Sequence, residues 1–298
     1  MRNNFLGHNT EMGACFSCLD KTIVQTVPVF QTTDRLKTHV SVESQPQILD
    51  LRLCDVSIMT SHNSYINTLQ HFGESSLNAL QKVLNYGARC IELDLYRYKM
   101  GGIYVAHGKE ESPDDIITTT KLDLDVAFEF LSRSAFEHTS DPLFIALELN
   151  VHTEEDACDQ IANLIHKYFD SRIYKGTLTG ETRIRDLIGK VIFMSGGGAI
   201  GRLSTIIHTQ WSDVFQNISS STPAERIQGV GTCIRVYPEG NLAGALSANF
   251  NPVPYLLNGA TFVALNMCTN DEHMQFYASW FAHSRIVKKV ERAPIHTA

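Results

Sequence analysis

The chain has 298 residues, 43% of them hydrophobic, and a formal net charge of −7. This length and composition exclude a disordered or fibrous protein and suit one large α/β domain or two smaller ones. The acidic balance argues against a nucleic-acid partner, because phosphates would repel it. No stretch reaches the roughly 18 to 20 uninterrupted apolar residues of a membrane-spanning helix, and the opening residues lack a signal-peptide pattern. Seven scattered cysteines fit no disulfide framework, so we expect a cytoplasmic protein.

Short apolar runs rich in β-branched and aromatic residues recur from residue 54 onward, mostly separated by helical patterns or polar loops. They predict eight strands, at Val56–Thr60, Cys90–Tyr96, Ile103–Ala106, Leu143–Leu149, Val191–Met194, Thr205–His208, Cys233–Tyr237 and Phe262–Met267. Eight strands with intervening helices predict a (β/α)8 TIM-type barrel, regular or distorted, over residues 51–293. An open doubly wound sheet is the rival fold. Residues 1–50 lack this rhythm and are predicted to form a loosely packed N-terminal extension.

Helix signals lie between these runs. Ser75 or Ser76 is predicted to begin a helix that stops at Gly87. Thr153 is predicted to cap another, whose apolar positions recur at helical spacing as far as Tyr168. A third, short helix is predicted around Thr222-Pro223-Ala224-Glu225.

Two histidines follow predicted strands. His62 lies in Ser61-His62-Asn63-Ser64-Tyr65, and His107 lies in Tyr104-Val105-Ala106-His107-Gly108. A single histidine at such a place is more often a structural group, because loops readily bond both ring nitrogens. Two histidines in matched positions favour a pair of acid and base groups at one end of the barrel.

Carboxylates form the second group of candidate site residues. Glu92 and Asp94 share one face of a strand, so their charges repel unless a cation lies between them. Glu148 adds a third carboxylate among apolar residues. Together with the Asn63 amide oxygen they make an all-oxygen set that suits calcium or magnesium better than zinc. Ion pairs with nearby lysines and arginines are the alternative interpretation.

Several motifs together resemble the eukaryotic phosphoinositide-specific phospholipases C. The X-region motifs are S-H-N-S-Y, G-A-R-C-I-E-L-D-L, Y-V-A-H-G and L-F-I-A-L-E-L-N, and the Y-region motifs are I-R-V-Y-P, A-N-F-N-P and F-V-A-L-N. The resemblance implies a calcium-dependent phosphodiesterase that converts phosphatidylinositol or its phosphorylated forms to diacylglycerol and an inositol phosphate through a 1,2-cyclic phosphate. The substrate partner would be a phosphoinositide lipid at a membrane surface. No protein partner is inferable.

The resemblance also implies roles for individual residues. Calcium would be held by Asn63, Glu92, Asp94 and Glu148. His107 would act as general acid and then base, His62 would donate to the phosphoryl oxygens, and Glu92 or Glu148 would take the proton of the inositol 2-hydroxyl. The headgroup-binding positions would be Arg235, Tyr237, and Ser219 or Ser220. A catalytically inactive phosphoinositide-binding scaffold and a glycerophosphodiester phosphodiesterase are the alternative functions.

The sequence departs from this family at one predicted strand. Met194 and Gly196 stand where members acting on the 4,5-bisphosphate carry two lysines. Losing these charges weakens recognition of ring phosphates, so the preferred headgroup stays open. Arg202 is a candidate to restore one contact from beyond the glycine-rich loop.

The sequence suggests two ways in which the protein could attach to a membrane, acylation and apolar loop residues. Translation from Met12 would expose a myristoylation pattern followed by two acylatable cysteines, Cys15 and Cys18. Apolar residues predicted on loops of the active face are candidates to enter the bilayer or, equally, to cover the barrel: Phe72, Tyr98, Met100, Trp211 and Phe215. We therefore expect peripheral membrane association.

Overall fold

The computed structural model describes residues 39–69, 72–98, 101–108, 116–151, 154–210, 213–229, 231–239 and 247–290. The strands in these ranges are β1 (Val56–Ser61), β2 (Cys90–Arg97), β3 (Ile103–Val105), β4 (Leu122–Asp123), β5 (Leu143–Leu149), β6 (Val191–Ser195), β7 (Thr209–Gln210), β8 (Phe215–Ser219), β9 (Cys233–Tyr237), β10 (Phe262–Leu265) and β11 (Ile286–Lys288). The α-helices are α1 (Pro46–Leu49), α2 (Leu77–Tyr86), α3 (Leu124–Ser134), α4 (Glu155–Phe169), α5 (Ile184–Leu187), α6 (Gly201–Ser204), α7 (Val253–Leu257) and α8 (Glu272–Trp280).

Eight parallel strands form a nearly closed barrel in the order β7-β6-β5-β2-β1-β10-β9-β8. The two end strands, β7 and β8, do not pair with each other within the described ranges, so the barrel is distorted there. Strands β3 and β4 extend β2 as an antiparallel hairpin, and β11 pairs antiparallel with β1. The predicted (β/α)8 fold is confirmed.

Two of the eight predicted strands are wrong as barrel strands. Ile103–Ala106 lies in the antiparallel hairpin, where Tyr104 pairs with Tyr96. Thr205–His208 follows the end of α6, where the Thr205 backbone N–H bonds to Arg202, and the strand begins only at Thr209. The prediction also missed β8, because its sequence Phe-Gln-Asn-Ile-Ser alternates apolar with polar residues and lacks a continuous apolar run.

Barrel strands are buried on both faces, which explains their nearly continuous apolar sequences. Side chains on the inner face fill the barrel, and the set includes Ile58, Cys90, Phe144, Ala146, Met194, Phe215 and Phe262. The alternate side chains face outward and pack against the helices, among them Met59, Ile91, Leu93, Ile145 and Phe193. Polar side chains on the inner face therefore occur where each strand leaves this core.

The helices largely follow their sequence signals. Helix α2 begins where the Ser76 hydroxyl accepts a hydrogen bond from the Ala79 backbone, and it ends at Gly87, whose φ of 104° places it in the left-handed region. Helix α4 begins at Glu155 and buries the predicted face, whereas Thr153 lies outside the described residues. The predicted helix near Thr222 is one 3-10 turn, Ala224–Arg226. No helix in the described ranges is both long and apolar enough to cross a membrane.

Part of the predicted N-terminal extension packs on the barrel. Val42 is fully buried, and its backbone N–H donates to Asp141 Oδ1 over 2.7 Å. Ile48 packs with the inner barrel cluster. Residues 1–38 lie outside the described residues, and the domain boundary at residue 50 stays a prediction.

A lysine is buried beside β11. The backbone N–H of Lys289 donates to Asp55 of the segment leading into β1, and its ammonium donates to the carbonyl oxygens of Gly229 and Thr232, each over 2.8 Å. Burial lowers the pKa of Lys289 to about 8, although neighbouring cysteine and aspartate side chains oppose the shift. The folded state therefore loses this proton at a lower pH than the unfolded state.

The lowered pKa of Lys289 should make the free energy of unfolding depend on pH. Between about pH 8 and pH 10 the unfolded chain binds a proton that the folded chain lacks, so Lys289 contributes a rise in stability as the pH increases. The free energy of unfolding of the wild type minus that of Lys289→Met should rise by about 2 kcal/mol over this window. Urea denaturation at several pH values measures it, with the exposed Lys175→Met as control. A difference that stays flat with pH would refute the buried ammonium.

Candidate active site

The candidate site lies where the barrel strands end at their carboxyl side. The β2–β5 register places Asp94 directly beside Glu148, and Glu92 beside Ala146. Glu92 and Asp94 are each only 4% exposed, whereas Glu148 is half-buried at the rim. Both carboxylates of β2 and that of β5 therefore come from neighbouring strands at one end of the barrel.

The loop after β1 brings Asn63 to this cluster. Asn63 adopts a left-handed backbone with φ of 42°, a conformation that side-chain-bearing residues rarely adopt. Its backbone N–H donates to Glu92 Oε2 over 3.1 Å, and the Tyr65 hydroxyl donates to Asn63 Oδ1, also over 3.1 Å. Ser64 adds two bonds to the Glu92 backbone. These contacts fix the loop to β2 and hold the amide beside the carboxylates.

Arg235 of β9 neutralises Glu92. Its guanidinium contacts Glu92 Oε1, and His62 Nε2 lies 3.6 Å from Glu92 Oε2. Burial alone would raise the pKa of Glu92, but the charges of Arg235 and His62 hold it below its usual value. Glu92 is therefore ionised. The ion-pair interpretation considered from the sequence holds for this carboxylate.

Among the described residues, no arginine or lysine pairs with Asp94 as Arg235 pairs with Glu92. Its Oδ2 lies 3.3 Å from His107 Nδ1, whereas its Oδ1 is buried with no hydrogen-bond partner in the part of the chain that the structure describes. Burial, and next the charge of Glu92, raise the pKa of Asp94 well above its usual value. Both effects favour the neutral form of this carboxyl, and a nearby cation would favour the ionised form.

Both predicted histidines face the carboxylates. His62 Nδ1 lies 2.8 Å from Asn266 Oδ1, a pairing that assigns the proton to Nδ1 and turns Nε2 towards Glu92. His107 Nδ1 lies within 3.5 Å of both Asp94 and Asn63. Burial lowers the pKa of both imidazoles, while Glu92 opposes the shift at His62 and Glu148 opposes it at His107.

The structure brings together Asn63, Glu92 and Asp94, with Glu148 next to Asp94 across the β2–β5 pair. Nevertheless, within the described ranges no group of three or more histidine, cysteine, aspartate or glutamate side chains has the arrangement of a metal site. The roles of these four residues as ligands stay a prediction.

The predicted headgroup residues line one side of the same mouth. Arg235 and Tyr237 share a face of β9, with the guanidinium carbon 5.6 Å from the centre of the tyrosine ring. Ser219 lies opposite Tyr237 in the β8–β9 register, at the same end of the barrel. The Ser220 hydroxyl instead accepts the Glu239 backbone N–H. The Ser219 hydroxyl is engaged as well, with Ser221, and the roles of Arg235, Tyr237 and either serine stay predictions.

Sequence reasoning gave no role to three polar residues of the site. Tyr65 supports Asn63, Asn266 orients His62, and Asn217 accepts a hydrogen bond from Arg235 over 3.0 Å. Asn266 and Tyr65 lie in the quoted motifs, and Asn266 directly follows the last barrel strand. The position of Tyr65 and Asn266 after barrel strands could have identified them as site residues.

The residues predicted to contact the membrane or to replace a headgroup contact have different surroundings in the structure. Phe215 is buried in the barrel core, so of its two expected roles, bilayer entry is excluded. Tyr98 packs on Tyr104 with ring centres 4.3 Å apart. Phe72 is 69% exposed. Arg202 bonds Asn163 of α4, and its contact with a headgroup stays a prediction. Met100, Trp211 and the Met12 acylation pattern lie outside the described residues.

Two family models match this chain. The X domain of phosphatidylinositol-specific phospholipase C matches residues 49–194, and the Y domain matches residues 204–287. The chain belongs to this family. Both site histidines and all four predicted ligands lie in the X match, and Arg235 and Tyr237 lie in the Y match.

Curated relatives are much longer proteins. The chain is 27% identical over 186 residues to 1-phosphatidylinositol 4,5-bisphosphate phosphodiesterase delta-4 of Xenopus laevis, a match that covers 61% of this chain and 23% of that protein. It is 25% identical over 138 residues to the human eta-1 enzyme, covering 46% of this chain and 8% of that protein. The chain thus spans less than a quarter of the length of these relatives.

Solved structures show the same fold at low identity. PLC21 of L. pealei superposes with a TM-score of 0.69 at 18% identity, covering 81% of this chain and 38% of that one. The phosphatidylinositol-specific phospholipase C of Listeria monocytogenes gives a TM-score of 0.56 at 12% identity, covering 78% and 94%. A phospholipase C of a Pseudomonas species, named as calcium-dependent, gives 0.51 at 13% identity, covering 82% and 97%.

Removing the Tyr65 hydroxyl tests the support of Asn63. In Tyr65→Phe the buried Asn63 amide oxygen loses its donor, which should lower the free energy of unfolding by about 1 to 2 kcal/mol. Tyr168→Phe is the matched control, because its hydroxyl bonds the half-exposed Asp125. Urea denaturation of both variants measures the difference. Equal stability of Tyr65→Phe and the wild type would show that this hydroxyl does not hold the loop.

Proposed function

We propose that this chain is a calcium-dependent phosphodiesterase that cleaves phosphatidylinositol, or a phosphorylated form of it, to diacylglycerol and an inositol phosphate through a 1,2-cyclic phosphate. The observation that carries the proposal is the cluster of Asn63, Glu92 and Asp94 against two imidazoles. The family match and the names of the relatives support this choice of chemistry.

Calcium fits the residues at this mouth. Asp94 Oδ1 is a buried oxygen that no donor among the described residues reaches, and such an atom is costly unless a cation or a donor binds it. Asn63, Glu92, Asp94 and Glu148 offer only oxygen ligands, the type that calcium prefers. The bound ion would lower the pKa of the inositol 2-hydroxyl and offset the charge that grows on the phosphate.

The side chains divide the proton transfers of the first step. The 2-hydroxyl oxygen attacks phosphorus and gives its proton to a carboxylate, for which Glu148 is the better base because Arg235 lowers the basicity of Glu92. The bond from phosphorus to the glyceryl oxygen breaks, and His107 protonates that oxygen. Diacylglycerol and the 1,2-cyclic phosphate result.

The second step uses the same groups in reverse. His107, now neutral, takes a proton from water as the water oxygen attacks phosphorus, and the bond to the 2-oxygen breaks as that oxygen takes the proton back from Glu148. His62 holds its Nδ1 proton on Asn266 and, when protonated, presents an Nε2–H beside Glu92. From this place it donates to the phosphoryl oxygens in both steps.

The same face of the barrel suits contact with a membrane. Leu69 and Phe72, in the loop between β1 and α2, are 42% and 69% exposed. The Phe72 backbone N–H bonds to Ile117, and the Ile117 backbone N–H bonds in turn to the His107 carbonyl, so Phe72 lies beside the site. Large apolar side chains exposed beside a lipid-cleaving site support a peripheral association with the bilayer.

Hydrolysis of phosphatidylinositol in mixed vesicles tests the proposal. Cleavage should require calcium and stop with a chelator, and phosphorus NMR should detect the cyclic phosphate before the acyclic product. His62→Ala and His107→Ala should each lose about 100-fold or more in kcat. His166→Ala, an exposed histidine of α4, is the control and should keep full activity.

Two outcomes would overturn parts of this proposal. Cyclic product formed equally well without calcium would refute the assignment of Asn63, Glu92, Asp94 and Glu148 as ligands. No cleavage of phosphatidylinositol or its phosphates at any calcium concentration, with vesicle binding retained, would favour the inactive scaffold.

A further inference from the structure

Asn266, which orients His62, is itself held by the side chain of a second asparagine. Asn266 is buried and lies directly after β10. Its backbone N–H donates to Asn249 Oδ1 over 2.7 Å, and Asn249 Nδ2 donates to the Asn266 carbonyl oxygen over 3.2 Å. The Asn249 side chain thus bonds both backbone groups of Asn266, as a paired strand would.

The residue before Asn249 favours one orientation of the Asn266 amide. Asn266 Nδ2 donates to the Ala248 carbonyl oxygen over 3.5 Å, so Oδ1 of the same amide is the atom that faces His62 Nδ1 at 2.8 Å. The opposite amide orientation would turn a donor towards Nδ1 and require the other tautomer of the neutral imidazole. The contact with Ala248 therefore favours a His62 ring with its proton on Nδ1.

Asp271 holds Asn249 in turn. Its Oδ2 accepts the Asn249 backbone N–H over 2.9 Å, and its Oδ1 accepts from Asn249 Nδ2 over 3.2 Å. The same Oδ1 accepts the Met274 backbone N–H over 2.8 Å, which makes Asp271 the N-cap of α8. A series of hydrogen bonds therefore connects the beginning of this helix, through Asn249 and Asn266, with the His62 ring.

We propose that Asn249 is a positioning residue for His62, which it orients by holding Asn266 with Oδ1 on the imidazole Nδ1. This inference rests on the proposed phospholipase activity, in which His62 donates to the phosphoryl oxygens. In the described ranges every hydrogen bond of the Asn249 side chain goes to Asn266 or Asp271, so its loss acts on His62 through Asn266. A displacement of about 1 Å at a catalytic group costs about a hundredfold in rate.

Cleavage of phosphatidylinositol in vesicles with calcium gives the first readout. Asn249→Ala should lower kcat by about tenfold to a hundredfold and leave KM within about twofold, because a misplaced donor slows the chemical step without weakening substrate binding. Asn258→Ala is the matched control and should keep full kcat, since Asn258 is equally buried, at 8% exposed, but lies ahead of β10 at the opposite end of the barrel.

A change at Asp271 separates the positioning role from the helix cap. Asp271→Ser keeps a side-chain oxygen for the N-cap of α8 but loses the second oxygen, which accepts the Asn249 backbone N–H. Its kcat should fall in the same direction as that of Asn249→Ala, with KM unchanged. This variant replaces Asn249→Ala in both measurements if Asn249→Ala does not fold.

Nitrogen-15 NMR of histidine-labelled protein gives a second readout that does not depend on activity. The His62 signals are assigned by their absence in His62→Ala. At a pH where the ring is neutral, the wild type should carry the His62 proton on Nδ1, whereas Asn249→Ala should show a mixture of the two tautomers.

The outcomes separate this inference from the phospholipase activity on which it rests. Unchanged kcat or unchanged His62 signals in folded Asn249→Ala overturn the inference while the phospholipase activity stands. An equal loss of kcat in Asn258→Ala overturns it as well, because the effect would then follow from general destabilisation. A wild type that cleaves no phosphatidylinositol refutes the phospholipase activity and the catalytic role of Asn249 with it.

Discussion

Two carboxylates of like charge buried on one strand face are the constraint on which the site depends. Glu92 and Asp94 lie two residues apart on β2 and point into the barrel, where repulsion and desolvation both oppose a second negative charge. Arg235 forms an ion pair with Glu92 and so stabilises the negative charge of Glu92. Asp94 Oδ2 lies 3.3 Å from His107 Nδ1, and among the described residues no donor reaches its buried Oδ1, so this carboxyl is stabilised by either a proton or a cation.

The barrel supplies the groups that meet this need. Parallel strands deliver their ends to one face, and the β2–β5 register places Glu148 beside Asp94. The strained backbone of Asn63 is held by bonds to Glu92 and Tyr65, so the amide and the carboxylates are positioned together. Apolar residues below, such as Met194 and Phe144, close the barrel and keep water from this layer.

Much of this arrangement could be predicted from the sequence, because strands buried on both faces give unbroken apolar runs and their ends mark the polar site residues. Because side chains alternate between the two faces of a β-strand, the sequence predicts that Glu92 and Asp94 lie on the same face. The direction of a strand leaves no such signal in the sequence, which therefore predicts β3 as a barrel strand although β3 runs antiparallel to β2. Strand β8 borders the gap in the barrel and has polar alternate positions, and the contact between Arg235 and Glu92 joins residues 143 positions apart. Contacts between residues so far apart in the sequence form only in the folded barrel, so the sequence alone does not predict them.

Crystals grown with terbium in place of calcium would test the central claim, since anomalous scattering locates the ion directly. The account predicts a single strong site with Asp94 Oδ1 about 2.3 to 2.6 Å from the ion and with Asn63, Glu92 and Glu148 as further ligands. An empty mouth at saturating ion, with Asp94 Oδ1 bonded to a protein donor, would contradict it.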